Sequence, residues 1–188
     1  MTATPVTTPA RRPRLRRRRR LPTALAALVA LLALYTAWTN TRPLTLSATV
    51  DIDATPEEVW HVLTDFSAYD DWNPFMVSAE GTAEPGAVLH LVMRDKTGDM
   101  AFDPTVRAAE PGRELRWLGR VGPGWIFDGE HRFLIEPLAN GRVRLTQSER
   151  FTGVAVPFFQ SMLHTATLPQ FEAMNRALAA RTAALRAP

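Results

Sequence analysis

Three hydrophobic rhythms follow one another along the chain. The first is continuous: Leu21–Trp38 runs for 18 residues without a charge. As a helix rising about 1.5 Å per residue it spans about 27 Å, close to the ~30 Å hydrocarbon thickness of a bilayer. The second rhythm has a period of two. Leu44, Leu46, Ala48, Val50 and Ile52 fall on one side of a strand, and alternation of this kind is the mark of a half-buried β-strand. After a short helix the same period recurs in Val77–Ala83, Val88–Arg94, Met100–Ala109, Leu115–Gly119, Phe127–Leu138 and Arg142–Phe151. Turn residues separate these runs: Glu84-Pro85-Gly86, Lys96-Thr97-Gly98-Asp99, Glu110-Pro111-Gly112 and Ala139-Asn140-Gly141. Asn-Gly between two such runs is a strong hairpin signal. The third rhythm is helical. Phe171, Met174, Leu178 and Leu185 share one face, so Phe158–Ala187 is expected to be mostly helix, kinked or interrupted by Pro169 near Leu168.

Between the first and second strands, Thr55-Pro56-Glu57-Glu58 begins a helix in a recognisable way. Thr55 suits the N-cap, Pro56 the first helical position, and Glu58 completes a capping box. Val59, Val62, Leu63 and Phe66 give this helix its buried stripe. Ser67–Asp71 reads as a second short helix, ended by Trp72-Asn73-Pro74. The order is therefore strand, two short helices, six strands and a long helix. This is an α+β chain whose six-to-seven-stranded antiparallel sheet needs one face covered, and the C-terminal helix is the available cover. A sheet curved around that helix encloses a cavity.

Charge changes the picture at one end only. Eight arginines lie between Arg11 and Arg20, whereas residues 21–188 hold 14 basic and 19 acidic residues, a net charge of −5. The high pI belongs to the tail, and the folded part lacks the basic face that nucleic-acid binding needs. Arginines directly before an apolar run orient it with the N-terminus in the cytoplasm and the following domain outside. Tyr35 and Trp38 stand at the far end of the run, where amphipathic rings favour the interface. A cleaved signal peptide is the alternative, but Tyr35, Trp38 and Asn40 make a poor cleavage site. Residues 1–20 thus read as a disordered basic cytoplasmic tail, 21–39 as a single transmembrane helix and 44–187 as one domain. The chain has no cysteine, which excludes disulfides, thiolate metal sites and thiol catalysis.

The segments Asp53-Ala54-Thr55-Pro56-Glu57-Glu58-Val59-Trp60, Asp71-Trp72-Asn73-Pro74, Gly129-Glu130-His131-Arg132-Phe133 and Glu149-Arg150-Phe151-Thr152-Gly153 resemble the START-like, polyketide-cyclase-like (SRPBCC) superfamily. The resemblance covers residues 44–187. It implies a helix-grip fold with a hydrophobic tunnel between sheet and long helix. Function is less constrained, because this fold hosts lipid carriers, plant allergens and aromatase/cyclases. A membrane anchor departs from the usual soluble members.

Candidate chemistry lies on the last hairpin. Gly129, His131, Phe133 and Ile135 share one face of one strand, and Val143, Leu145, Gln147, Glu149 and Phe151 share one face of the other. A turn at Asn140-Gly141 sets His131 opposite Glu149 and Phe133 opposite Gln147. Three polar groups among apolar neighbours need partners. They form a structural pair, a ligand-orienting pair, or the base and orienter of an enzyme. Trp72, Asn73, Trp117, Phe158 and Met162 complete the candidate ligand-binding set with His131, Phe133, Gln147 and Glu149. Trp72-Asn73-Pro74 reads equally as a cavity mouth or a structural corner, and Trp125 as an exposed anchor or lid. Phe158, Phe159, Met162 and Phe171 read as core or cavity lining. His61, His90 and His164 have no metal-ligand spacing, and no nucleotide or cofactor fingerprint occurs. The expected role is membrane-anchored binding of a hydrophobic small molecule or lipid, without catalysis or cofactor. A cyclase/dehydratase-like enzyme using His131 and Glu149, and an envelope interaction module with a filled core, are the alternatives.

Overall fold

A computed structural model of the chain describes residues 20–95 and 98–186. All of the basic tail but Arg20 lies outside the described residues, as do the turn residues Lys96 and Thr97. The apolar run forms helix α1 (Arg20–Thr41), whose segment Pro22–Thr41 is long and apolar enough to cross a membrane. Leu25, Leu28, Leu31 and Leu34 are all exposed along it. Its last turns touch the domain: the Tyr35 hydroxyl donates to the Val154 carbonyl at 3.2 Å, and Thr39 is buried.

Strand β1 (Leu44–Ile52) leads into α2 (Pro56–Thr64). The expected capping box is present, with Glu58 N donating to Thr55 Oγ1 and Thr55 N to a Glu58 carboxylate oxygen. Val59, Val62 and Leu63 are the buried stripe, each contributing about 1.5–3 kcal/mol by leaving water. A 3-10 turn (Phe66–Ala68) and α3 (Tyr69–Trp72) follow. Tyr69 is fully buried and its hydroxyl donates to Leu63 O at 2.6 Å. Burial pushes its phenol well above the usual value.

The remaining strands are β2 (Met76–Glu80), β3 (His90–Asp95), β4 (Gly98–Phe102), β5 (Thr105–Glu110), β6 (Glu114–Val121), β7 (Phe127–Pro137) and β8 (Val143–Thr152). The described residues thus hold eight strands where the alternation suggests seven. The expected strand Met100–Ala109 is two, because Asp103-Pro104 falls between them and proline has no N–H for a ladder. At that break the chain stops pairing with β3 and begins pairing with β6. The strands form an antiparallel group of five in the order β1-β8-β7-β6-β5 and a group of three, β2-β3-β4. A bridge between Val88 and Thr105 joins the groups.

Helix α4 (Val156–Arg186) covers the inner face and runs for 31 residues through Pro169. Of the kink or interruption expected there, the interruption does not occur. Phe171, Met174, Asn175, Leu178 and Thr182 form its buried face. The outer face of the five-stranded group is charged instead. Arg132 meets Glu114 at 2.9 Å, Arg120 meets Asp128 at 3.1 Å, and Arg144 grips Asp51 through two bonds of 2.7 and 3.0 Å. Residues two apart on a strand share a face, so this split follows directly from the alternation.

Two consequences are measurable. Gly153 has φ +124° and an added Cβ would collide with the backbone of Ile126, so Gly153→Ala is expected to lower stability by at least ~2 kcal/mol, read as a fall in the urea midpoint. The hydrogen bond from Arg144 holds the Asp51 carboxyl below its ordinary value of 3.8. Its contribution is therefore present at neutral pH and lost as pH falls through the depressed folded value. In Arg144→Ala the carboxyl should titrate closer to 3.8 by NMR, and an unchanged titration would show that Arg144 is not the cause.

Candidate functional site

The hairpin register is the one the sequence implies. His131 pairs with Glu149 and Phe133 with Gln147 across β7 and β8, and Trp117 on β6 pairs with His131. These side chains point to the inner face and meet α4. The His131 ring stacks on Trp117 with centroids 5.0 Å apart and planes at 15°, and Phe171 meets it edge-on at 5.0 Å. Phe133 closes a third side at 4.8 Å. Trp117, Phe133, His131, Gln147 and Phe171 are all buried.

Within this aromatic box runs a polar relay. Gln147 Nε2 lies 3.0 Å from His131 Nε2. An amide nitrogen only donates, so Nε2 of the imidazole accepts and the ring proton sits on Nδ1. That nitrogen faces a Glu149 oxygen at 3.5 Å, an electrostatic contact that favours the same tautomer. Exposure grades along the relay, from 20% for the Glu149 side chain to 6% for His131 and none for Gln147. The same Gln147 nitrogen also approaches Met174 Sδ at 3.4 Å. Among the described residues Gln147 Oε1 has no partner, nor has Asn175 Oδ1, although Asn175 Nδ2 donates to Ala48 O at 3.2 Å. Ala48 pairs with Gln147, which puts both acceptors in the seam between α4 and the β1–β8 pair. A buried acceptor without a donor costs about 1–3 kcal/mol.

Two further residues shape the site. An added Cβ at Gly129 would stand 2.5 Å from Glu149 Oε1; the missing side chain gives the carboxylate its place. An inward-facing glycine inside a strand is the sequence signal for such a close approach. Asn175 was likewise legible as a polar residue one turn after Phe171 on the apolar stripe.

The other candidates lie elsewhere. Asn73 Oδ1 accepts from the backbone N–H groups of Phe75 and Met76 at 3.2 and 3.0 Å, which makes this segment a structural corner. Trp72 packs edge-on against Tyr69 at 5.0 Å and lines a small cavity of about 90 Å³ with His61 and Arg181. Phe158, Phe159 and Met162, expected in the core or cavity lining, are 78%, 45% and 55% exposed. They occupy the first turns of α4, where Val156 and Leu163 are the buried residues. A larger concavity of about 450 Å³ lies between the short helices and β2, lined by Phe66, Asp70 and Val77–Gly81. Neither cavity is lined by a residue of the His131 box. Among the described residues no group of three His, Asp or Glu side chains is arranged to hold a metal ion.

Residues 43–183 match the family model described as polyketide cyclase / dehydrase and lipid transport. No curated protein matches the chain. Among solved structures, a START superfamily protein from Mycobacterium smegmatis is 24% identical with a TM-score of 0.59, covering 75% of this chain and 98% of its own. An aromatase/cyclase from a Streptomyces species is 18% identical with a TM-score of 0.64, over 78% and 98%. A norcoclaurine synthase variant from Thalictrum flavum, bound to a transition-state analogue, is 11% identical with a TM-score of 0.61, over 78% and 99%. At these identities the likeness is one of fold.

The relay makes a stability prediction. Gln147→Leu strands His131 Nε2 but also removes the orphan Oε1, so two effects of about 1–3 kcal/mol oppose each other. The double variant with His131→Phe leaves neither group and should be more stable than Gln147→Leu alone. A double variant less stable in urea than Gln147→Leu would contradict the buried relay. Gly129→Ala should displace the Glu149 carboxylate from His131 at little cost in stability, because the atom that must move is the end of a flexible side chain.

Proposed function

Since the chain belongs to the polyketide cyclase / dehydrase and lipid transport family, we propose that its domain binds an apolar small molecule or lipid in the seam between sheet and α4, while α1 holds it to a membrane. The observation carrying this reading is the unpartnered Gln147 Oε1 inside an aromatic box. A hydroxyl on an otherwise apolar ligand supplies the donor that this acceptor lacks, and Asn175 Oδ1 offers a second point of attachment. Rings of Trp117 and Phe171 match an apolar or aromatic body.

Ligand admission requires the seam to open, since Phe171 and Met174 fill it. The first half of α4 is the segment suited to move. Its outward side is exposed, and Pro169 removes one hydrogen bond between the two halves of the helix.

Catalysis by His131 finds less support. A general base needs a free lone pair directed at the substrate. Here Nε2 is engaged by Gln147 at 3.0 Å and Nδ1 is turned to Glu149. The positional role of the relay is therefore ligand orientation.

Native mass spectrometry of the full chain in mild detergent is expected to reveal a co-purifying apolar molecule. Titration with a fluorescent long-chain alcohol should give saturable binding, weakened several-fold by Gln147→Leu with the fold intact. Absence of both a bound mass and saturable binding would sink the reading. For the anchor, a reporter fused after Pro188 should be active only outside the cytoplasm, because the arginine block precedes α1; activity of a cytoplasm-only reporter would refute that orientation.

A further inference from the structure

Only Arg42 and Pro43 separate the end of α1 at Thr41 from the start of β1 at Leu44. Three Cα-to-Cα steps reach about 11 Å at most, so one end of the sheet is tied closely to α1. Leu44 pairs with Phe151, Phe151 with Gly129, and Phe127 with Val121. The β6–β7 loop and the start of α4 therefore lie at that same end. Backbone bonds join them: Val154 N donates to Trp125 O at 3.0 Å and Ala155 N to Ile126 O at 3.1 Å.

This end exposes Val121, Trp125, Phe158, Phe159 and Met162 at 66%, 53%, 78%, 45% and 55%. Other exposed large apolar residues of the domain, Val88, Met100 and Leu185, come from three separate parts of the chain. From Phe151 to Phe171 there is no Asp, Glu, Lys or Arg, whereas the later part of α4 carries Glu172, Arg176, Arg181 and Arg186. A helix half that is both exposed and uncharged is poorly suited to water.

The depth of the contact with α1 identifies what covers this patch. The 20 residues Pro22–Thr41 make about 30 Å of helix, the full hydrocarbon thickness. Tyr35, which bonds to Val154, lies six residues before Thr41, about 9 Å down the axis. The headgroup layer on each side is only about 5–8 Å thick. With α1 fully inserted, the Val154 loop is held at or below the headgroups.

We propose that this end of the domain is seated in the bilayer that α1 spans, with Trp125, Phe158, Phe159 and Met162 entering the boundary between headgroups and acyl chains. The inference rests on the reading of α1 as an uncleaved anchor. Trp at such a boundary is favoured, and an uncharged helix face meets no charge-desolvation cost there. Phe159 meets Phe127 edge-on at 6.5 Å, and Phe127 meets Phe151 at 5.7 Å. Phe151 and Phe171 belong to one apolar cluster, and Phe171 abuts His131. An apolar path thus runs from the acyl chains to the aromatic box without passing through water.

The absence of cysteine allows single-site labelling of the full chain. An environment-sensitive fluorophore on Leu28→Cys, Met162→Cys or Ala139→Cys is read in phosphatidylcholine/phosphatidylglycerol vesicles, with doxyl-labelled lipid or with iodide on both sides. Position 139 is exposed in the loop after β7, at the far end of that strand. Labels at 28 and 162 should both lose most of their emission to doxyl lipid, while the label at 139 responds to iodide alone. A quenched label at 28 with an iodide-accessible label at 162 overturns the seating and leaves the anchor standing. An unquenched label at 28 overturns the anchor, and the seating with it. A label at 162 shielded from both quenchers means that a second copy or another protein covers the patch, which also overturns the proposal.

Discussion

The domain depends on α4 covering the inner face of a sheet whose outer face is charged. Phe171 meets His131 of β7 and Met174 meets Gln147 of β8, while Met174 and Leu178 are fully buried in one cluster with Val59, Val62 and Leu63 of α2. Without the joint cover of α4 and α2, Leu115, Phe133, Ile135 and Leu145, all at or near zero exposure, would stand in water at about 1.5–3 kcal/mol each. The ion pairs of the outer face contribute little by comparison, because exposed pairs are worth about 0–1 kcal/mol. Hydrophobic cover decides the fold; the charges keep the other face soluble.

The same cover creates the site. Three polar side chains are enclosed because they sit on the strand faces that α4 buries, and enclosure forces them to satisfy one another. Gln147 supplies the donor that fixes the imidazole tautomer, and Gly129 leaves room for Glu149 at the wetter end. The pairing is incomplete: Gln147 Oε1 and Asn175 Oδ1 retain no donor. An apolar core would be more stable than a half-satisfied network, and the proposed ligand-orienting role would give these acceptors a donor.

Helix α4 is also two helices in character. From Phe171 onward it is amphipathic in the ordinary sense, with charges outside and apolar groups inside. Before Pro169 it is uncharged, and only Val156 and Leu163 are buried. The difference matches the environments proposed for the two halves: sheet and water for the second, sheet and bilayer for the first. Tyr35 of α1 binds the domain beside that first half, so the apolar helix, the patch and the seam converge on one end of the domain.

Local rules made much of this legible in the sequence. The capping box at Thr55–Glu58, the alternation of β1, β7 and β8, and the Asn140-Gly141 turn each need only neighbours along the chain, and the register of His131 with Glu149 follows from them. Parts of the C-terminal helix departed from expectation for tertiary reasons. Pro169 does not end α4, because packing on the sheet on both sides of it outweighs one lost hydrogen bond. Phe158 and Met162 are exposed, because the helical period assigns a face but not what lies opposite it. Periodicity and turn chemistry were enough to give β1, β7, β8, the apolar run and the inward side of the hairpin, and the proline at 104 was a local mark of the strand break. Long-range packing settled which sheet group each side of that break joins, that Gly129 houses a carboxylate, and that α1 meets the uncharged half of α4. Those are contacts between residues far apart in the chain, and no local pattern encodes the distance between them.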